Sequence, residues 1–342
     1  FAHHFFGGLA FILILFHPLF LAGTYLLNSV RSAAVFLLPS SNWPVNFGII
    51  SLIFLIIFLV LTFFIKLPYE KWKFTHQHLG LVFFLAGLHS FLIQSDISRS
   101  VPLRMYVLTL ATVSIFVYGY RTLLGSVLVR RFRYVVQDVE RLGEKVVEIE
   151  MSPQEKTMHF VPGQFVFVSF QSAEIGFETH PFSLTSSPSE TNLKIAVKSL
   201  GDYTARLQHL KPGAIAKVEG PFGNFFSRSS KDQIWIAGGI GITPFLSMAR
   251  TLQHQDMKNT VHLFYCATNE SEAVFLEELL EISGRLNSFK VIAFCADVRG
   301  YISAEHVKKI VGDIHDKDIL LCGPPSMMKN LRSQFVRLEV PE

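Results

Sequence analysis

The chain has 342 residues, 50% of them hydrophobic, with 33 phenylalanines and only 17% charged side chains, which sets it apart from an average soluble protein. Its net charge of +4 is small and its basic residues form no patch interleaved with aromatics, which excludes a nucleic-acid binder. Charges are sparse from Phe5 to about Tyr120 and return at globular frequency from Arg130 onward, so one body in lipid and one in water are expected.

Four apolar stretches, about 5–27, 45–65, 77–97 and 104–122, have the length needed to span a bilayer, with polar breaks such as LNSVRS, LPYEKWK and QSDISRS between them. Lys66, Lys71 and Lys73 lie between the second and third stretches, and Arg121, Arg130, Arg131 and Arg133 follow the fourth. The positive-inside rule puts both clusters in the cytosol, together with the start of the first span and everything after residue 125. The chain opens on Phe1 and turns apolar at once, without a basic n-region or cleavage site, so it reads as a cropped chain and not as a signal peptide.

Histidines interrupt this oily half. His3, His4 and His17 belong to the first span and His76, His78 and His89 to the third. A histidine in lipid is costly and faces the protein interior. Hydrogen-bonded helix packing explains one of them, but two helices each carrying an inner and an outer histidine suggest more. His3 to His17 is roughly 21 Å of helical rise and His76 to His89 roughly 20 Å. Pairing His3 with His76 and His17 with His89 would make two bis-imidazole sites, one near each membrane face, suited to iron porphyrin. Helix phase leaves the inner partner open: at about 100° per residue His76 is about 140° out of register with His89, and His78 only about 20°.

From RFRYVVQDVERLGEKVVEIEM onward, short alternating strands with turn signals run to about residue 220 and suggest a small antiparallel barrel. Within it stands HPFSLTSSP, in which His180 would face a pyrophosphate, Phe182 a flat ring and Ser183 a ring nitrogen; a plain turn after a strand is the alternative. VKSLGDYTARL adds Lys198 for charge, Gly201 for close backbone approach and Thr204 at a helix N-terminus, where phosphate binds well. QIWIAGGIGITPFLSMARTL is a buried strand, a glycine-rich turn with Gly239 and Gly241, and a helix opened by Pro244. Alone, such a turn is weak evidence. Here it starts an alternation of strands (VHLFYCA, KVIAFCA, DILLCGPP) and helices (EAVFLEELLEI, PSMMKNLRSQF), a doubly wound nucleotide-binding layout with Cys322-Gly323-Pro324 at the carboxyl end of the last strand. Cys266, Cys295 and Cys322 match no disulfide framework or zinc spacing and fit a reducing compartment.

HPFSLTSSP, GGIGITP and CGPP, in this order behind a two-helix histidine pattern, resemble the NADPH oxidase and ferric-chelate reductase family. The resemblance implies a haem-bearing helical membrane domain over residues 1–125, an FAD-binding antiparallel β-barrel over 130–228 and a doubly wound NAD(P)-binding α/β domain over 229–342. It implies FAD at His180, Pro181, Phe182, Ser183, Lys198, Gly201 and Thr204, and a nicotinamide nucleotide at Gly239, Gly241, Thr243, Pro244, Cys322, Gly323 and Pro324. Ser183 and Cys322 then stand nearest the chemistry. Two b haems are implied at His3, His17, His76 and His89, because His3-x-x-x-Gly7 and His76-x-x-x-Gly80 fit the family's inner-ligand pattern, which makes His4 and His78 neighbours of the ligands. The chain departs from the family in three ways: four spans stand where six are usual, RLEVPE stops before the aromatic that usually covers the flavin, and Thr268 occupies the place where NADPH-specific relatives carry an arginine. Both NADPH and NADH therefore remain open.

The expected activity is transfer of electrons from cytosolic NAD(P)H through FAD and the two haems to an acceptor across the membrane. O₂, giving superoxide, is preferred to a ferric chelate because Asp96 stands alone where iron-binding carboxylates would be needed. A haem-free membrane anchor carrying a flavin reductase, and a scaffold with a regulatory nucleotide domain, are the rivals.

Overall fold

The computed structural model divides into two units, residues 1–129 and 130–342. It describes residues 2–65, 67, 69–94, 99–124, 131–172, 174–226, 230–254 and 259–340. Lys66, Asp96 and Arg130, which the sequence reading used, lie outside these residues, as do the side chains of His4 and Arg121.

The first unit is helical: α1 (Ala2–Leu26), α2 (Val30–Phe36), α3 (Trp43–Phe63), α4 (Tyr69–Gln77), α5 (Leu79–Leu92) and α6 (Val101–Tyr118), the last continuing as a π turn over Gly119–Leu123. Three of these helices contain spans long and apolar enough to cross a membrane: Phe5–Leu26, Trp43–Phe63 and Val101–Tyr118. The third expected span, 77–97, is corrected: the chain turns at His78 between α4 and α5, and α5 has 14 residues. The cause is local, because the His78 backbone N–H reaches the carbonyls of Phe74 and Thr75 while its Nδ1 lies 2.7 Å from the Phe74 oxygen. α3 packs on α5, where the Ser51 hydroxyl donates to the Val82 carbonyl at 2.9 Å, a buried hydroxyl satisfied across helices. Tyr118 of α6 closes on Gly80, where a Cβ would run into its ring, and donates its hydroxyl to the Gln77 carbonyl.

The second unit contains two sheets. Strands β1 (Phe132–Arg141), β2 (Val146–Pro153), β3 (Phe165–Gln171), β4 (His180–Ser183), β5 (Leu193–Lys198) and β6 (Ile215–Phe222) pair antiparallel in the order β4-β3-β6-β1-β2-β5. A single bridge from Leu184 to Ile195 joins the β4 side of the sheet to β5. Inward residues such as Tyr134, Val147, Ile149, Val168 and Phe170 form one core, and the short α7 (Asp202–Arg206) follows β5.

The other sheet is parallel, in the order β10-β7-β8-β9: β7 (Gln233–Gly238), β8 (Val261–Ala267), β9 (Phe289–Cys295) and β10 (Asp318–Cys322). β7 is buried on both faces: Trp235 and Ala237 pack toward α8 (Thr243–Leu252) and α9 (Leu276–Arg285), whereas Ile234 and Ile236 pack toward α11 (Ala304–Val311) and α12 (Pro325–Arg337). α10 (Ala296–Arg299) links β9 to the next crossing. After β9 the chain returns to the other side of β7, so the strand order reverses between β7 and β10, where open α/β sheets bind their ligands.

Candidate functional site

The four expected histidines pair in the first unit. His3 of α1 faces His76 of α4 with ring centres 6.0 Å apart and planes at 81°, and His17 faces His89 at 6.5 Å and 75°. A metal bonds imidazole nitrogen at about 2 Å, and about 1 Å more reaches each ring centre, so an iron between two imidazoles needs about 6 Å. Both pairs fit that group. His89 Nδ1 lies 2.7 Å from the Pro44 carbonyl, which can only accept, so the proton sits on Nδ1 and Nε2 keeps its lone pair for a metal. His78, which ideal phase preferred, is taken by Phe74: its ring lies 4.3 Å from the Phe74 ring. His76 and His89 both meet α1 although ideal helix phase sets them apart. Of the expected small neighbours, Gly7 has open space where a Cβ would point, whereas Gly80 is covered by Tyr118.

On β4 the side chains alternate, His180 and Phe182 on one face and Pro181 and Ser183 on the other. Phe182 packs against the first core, so it does not share a face with Ser183. The flat surface beside Ser183 is instead aromatic and was missed in the sequence: Phe165 and Phe167 pair with Ser183 and Pro181 and meet Phe222 at 5.9 and 5.6 Å. The alternation FVFVSF carried that signal. His180 stacks on Tyr203 with ring centres 4.1 Å apart, and its Nε2 is 2.9 Å from Glu178. Glu178 also accepts from Arg206 at 2.7 Å, a second cation beside the expected pyrophosphate position. Burial, and then the Glu178 carboxylate, push the Tyr203 phenol up to about 12, so His180 rests on a neutral ring.

Thr204 stands in the first turn of the five-residue α7, where it was expected, and its hydroxyl accepts from the backbone N–H groups of Leu200 and Gly201 at 2.9 and 3.0 Å. Lys198 lies 3.7 Å from Glu272, at the turn after β8. Gly201 has nothing within 4 Å of a would-be Cβ, so there is space beside it, although its N–H is engaged by Thr204.

The glycines of the nucleotide turn separate by role. Gly239 has φ of +53° with open space at its Cβ position, as close approach of a phosphate requires. Gly241 is a packing glycine: a Cβ there would lie 2.5 Å from the Cys322 carbonyl and 2.8 Å from the Gly323 Cα. Gly238 likewise faces Pro324, and Gly323 faces Gly238. The glycine-rich turn and the Cys322-Gly323-Pro324 segment therefore meet at the reversal point of the sheet. Thr243, whose hydroxyl donates to the Ile240 carbonyl, and Pro244 are buried at the start of α8, below the turn and not on its surface. Burial raises the Cys322 thiol above its ordinary value, so it meets a ligand as a neutral group. Thr268 donates to Glu272 at 3.3 Å.

The second half of HPFSLTSSP does structural work unseen in the sequence. Thr185, Ser186 and Ser187 are at most 1% exposed. The Ser186 carbonyl accepts from Ser247 at 2.7 Å, Thr251 donates to Ser187 at 3.2 Å, and Arg250 donates to the Thr185 carbonyl at 3.0 Å. The same guanidinium holds Glu148 of β2 at 3.0 Å and Glu278 of α9 at 2.6 Å, which locks the two sheets' domains together.

Residues 131–225 match the family model of an FAD-binding domain, and residues 235–333 that of the oxidoreductase NAD-binding domain. The chain is similar to the flavohemoprotein of Bacillus cereus, 24% identical over 234 residues, which covers 61% of this chain and 58% of that protein. It is similar also to the electron transfer component of toluate 1,2-dioxygenase from Pseudomonas putida, 25% identical over 219 residues, 61% of this chain and 64% of that one. The chain thus spans about 60% of the length of these curated relatives. Among solved structures, the flavohemoglobin of Malassezia yamatoensis with bound FAD and heme shares the fold at a TM-score of 0.60 and 19% identity, over 93% of this chain and 85% of that one. The second unit is an NAD(P)H- and FAD-dependent oxidoreductase module of the ferredoxin-reductase-like kind.

Proposed function

We propose that this NAD(P)H- and FAD-dependent oxidoreductase module serves a transmembrane electron path of the NADPH oxidase and ferric-chelate reductase type. In this reading two b-type haems, one held by His3 and His76 and one by His17 and His89, connect the flavin to an acceptor on the far side of the membrane. The observation that carries it is the pair of ring separations, 6.0 and 6.5 Å, each wide enough for one iron. Bound FAD would accept a hydride from NAD(P)H and release single electrons, which haem iron takes one at a time.

The chain's own residues orient and insulate. Gly239 admits the nucleotide backbone, Ser183 offers a hydroxyl beside the Phe165, Phe167 and Phe222 surface, and Arg206 supplies a cation for phosphate, with the His180 imidazole beside it. His17 and His89 would hold the outer group with an imidazole each, and such a group would supply single electrons to O₂ without binding it, giving superoxide. A ferric chelate is the second reading.

The test is a reduced-minus-oxidised spectrum of the purified protein with FAD, then NADH or NADPH. A bis-histidine b-type signal is expected; its absence, or its persistence in a His76→Ala, His89→Ala double variant, overturns the reading. Dye reduction sensitive to superoxide dismutase separates O₂ from ferric chelate as acceptor.

A further inference from the structure

We propose that α3, a helix without a histidine, forms the second wall of the outer haem site, and that the Pro44 carbonyl and Gly48 together position His89 for iron. This rests on the haem reading above. Pro44 lies in the first turn of α3, and its carbonyl is 2.7 Å from His89 Nδ1. A carbonyl has two lone pairs, so it can serve the imidazole and its own helix at once. The bond fixes the tautomer with Nδ1 protonated and Nε2 free to ligate, and it makes the imidazole a more basic ligand.

Gly48 is one turn further along α3, on the same face as Pro44. A Cβ at Gly48 would lie 2.9 Å from His89 Nδ1, 3.0 Å from Cε1 and 3.2 Å from Cγ, so the imidazole rests against bare backbone. His17 stands with its ring centre 6.5 Å from that of His89. An iron-bound ring cannot retreat from a new methyl group without stretching either the metal bond or the bond to Pro44. The inner site is held by different means: His76 stacks on Trp72 with ring centres 5.1 Å apart and planes at 13°. Changes on α3 therefore act on one haem of the two, and Pro44 and Gly48 are positioning residues, not ligands.

The experiment is a potentiometric haem titration of the full chain, with haem content per protein, in wild type, Gly48→Ala and Gly23→Ala. Alanine is the better helix former, and Gly23 has open space where a Cβ would point, so weakening of a helix cannot account for a difference between the two variants. Expected are two haems in wild type and in Gly23→Ala. In Gly48→Ala, the component that His89→Ala abolishes shifts to higher potential or is lost, and the component that His76→Ala abolishes stays in place. Replacement of His89 by Nδ1-methylhistidine, which keeps Nε2 but removes the donor, gives the same upward shift without any change to α3. Two haems unmoved by both replacements, or a shift confined to the inner component, would refute the role of α3. Wild-type protein devoid of b-type haem would instead overturn the haem reading itself.

Discussion

The candidate site of the first unit is built from side chains that contradict their surroundings, His3, His17, His76 and His89 on apolar helices, whereas that of the second is built largely from missing side chains, Gly238, Gly239, Gly241 and Gly323 at the carboxyl ends of parallel strands. On the membrane reading proposed above, the contrast follows from the solvent. In lipid a polar side chain is expensive wherever it stands, so it is kept only where it is used, and it can be recognised by its presence. In a doubly wound domain a ligand's phosphates are met by backbone N–H groups, and the residue type that matters is the one that leaves room. The two units should therefore fail differently, and a pair of variants separates them most sharply.

His89→Ala should halve the b-type haem signal and cut electron delivery to the far-side acceptor by more than the roughly 10–100-fold typical when only a ligand's supporting partner is lost. Reduction of a soluble dye from NAD(P)H through the flavin should stay near wild type. Gly239→Val reverses the pattern. Its φ of +53° suits a left-handed residue, and a branched side chain there both strains the turn and fills the approach to it. NAD(P)H-driven flavin reduction should fall on the order of 100-fold, with the dithionite-reduced haem spectrum unchanged. Equal loss of both activities in either variant would mean that the two sites are not separable in this way.

The next effect belongs to the join within the second unit. Arg250→Ala leaves Glu148, with a side chain only 9% exposed, without its cation. Breaking one partner of such a buried pair costs about 3–5 kcal/mol, and for a domain pair of this size that is roughly 10 °C in Tm. Thermal unfolding followed by flavin release checks it. Adding Glu148→Gln should recover part of the loss, since the cost comes from the stranded carboxylate. A melting temperature unchanged in Arg250→Ala would show that Ser247–Ser186 and Thr251–Ser187 hold the join unaided.

The same join marks where legibility in the sequence ended. Short strands punctuated by glycine and proline, then βα alternation, were enough to foresee an antiparallel sheet followed by a parallel one, because local periodicity and turn chemistry carry that information. In HPFSLTSSP only His180 to Ser183 carried a readable role, and nothing local announced that Thr185 to Ser187 dock α8. Arg250 and Glu148 are 102 residues apart, and nothing local to either names the other. Gly241 was read as a ligand glycine for the same reason, since its contact with Cys322 comes from β10, which pairs beside β7 but is distant in sequence. In the first unit the spans were legible from hydropathy, but the turn at His78 was not: the stretch contains no proline, Gly80 lies beyond it, and its cause is a backbone and imidazole pattern around Phe74. The pairing of His3 with His76, and not with His78, is what decides the choice that helix phase left open.

The smallest expected effect concerns which nucleotide the second unit prefers. Beyond β8 the chain runs Thr268-Asn269-Glu270-Ser271-Glu272, and Glu272 lies 3.3 Å from the Thr268 hydroxyl and 3.7 Å from Lys198. In this layout the end of the second strand meets the adenosine ribose. A carboxylate there can accept a hydrogen bond from a 2′-hydroxyl, and it repels a 2′-phosphate dianion, so NADH should be the better substrate by kcat/KM. Thr268→Arg supplies the fork that phosphate binds and gives Glu272 a competing partner. It should move the NADPH to NADH ratio by about tenfold, about 1.4 kcal/mol, and by more when combined with Glu272→Gln, which lifts the repulsion. Steady-state runs with each nucleotide decide the point. A wild-type preference for NADPH would mean that the Glu272 carboxylate turns away to Lys198 when nucleotide binds, and Glu272→Gln would then leave the ratio where it was.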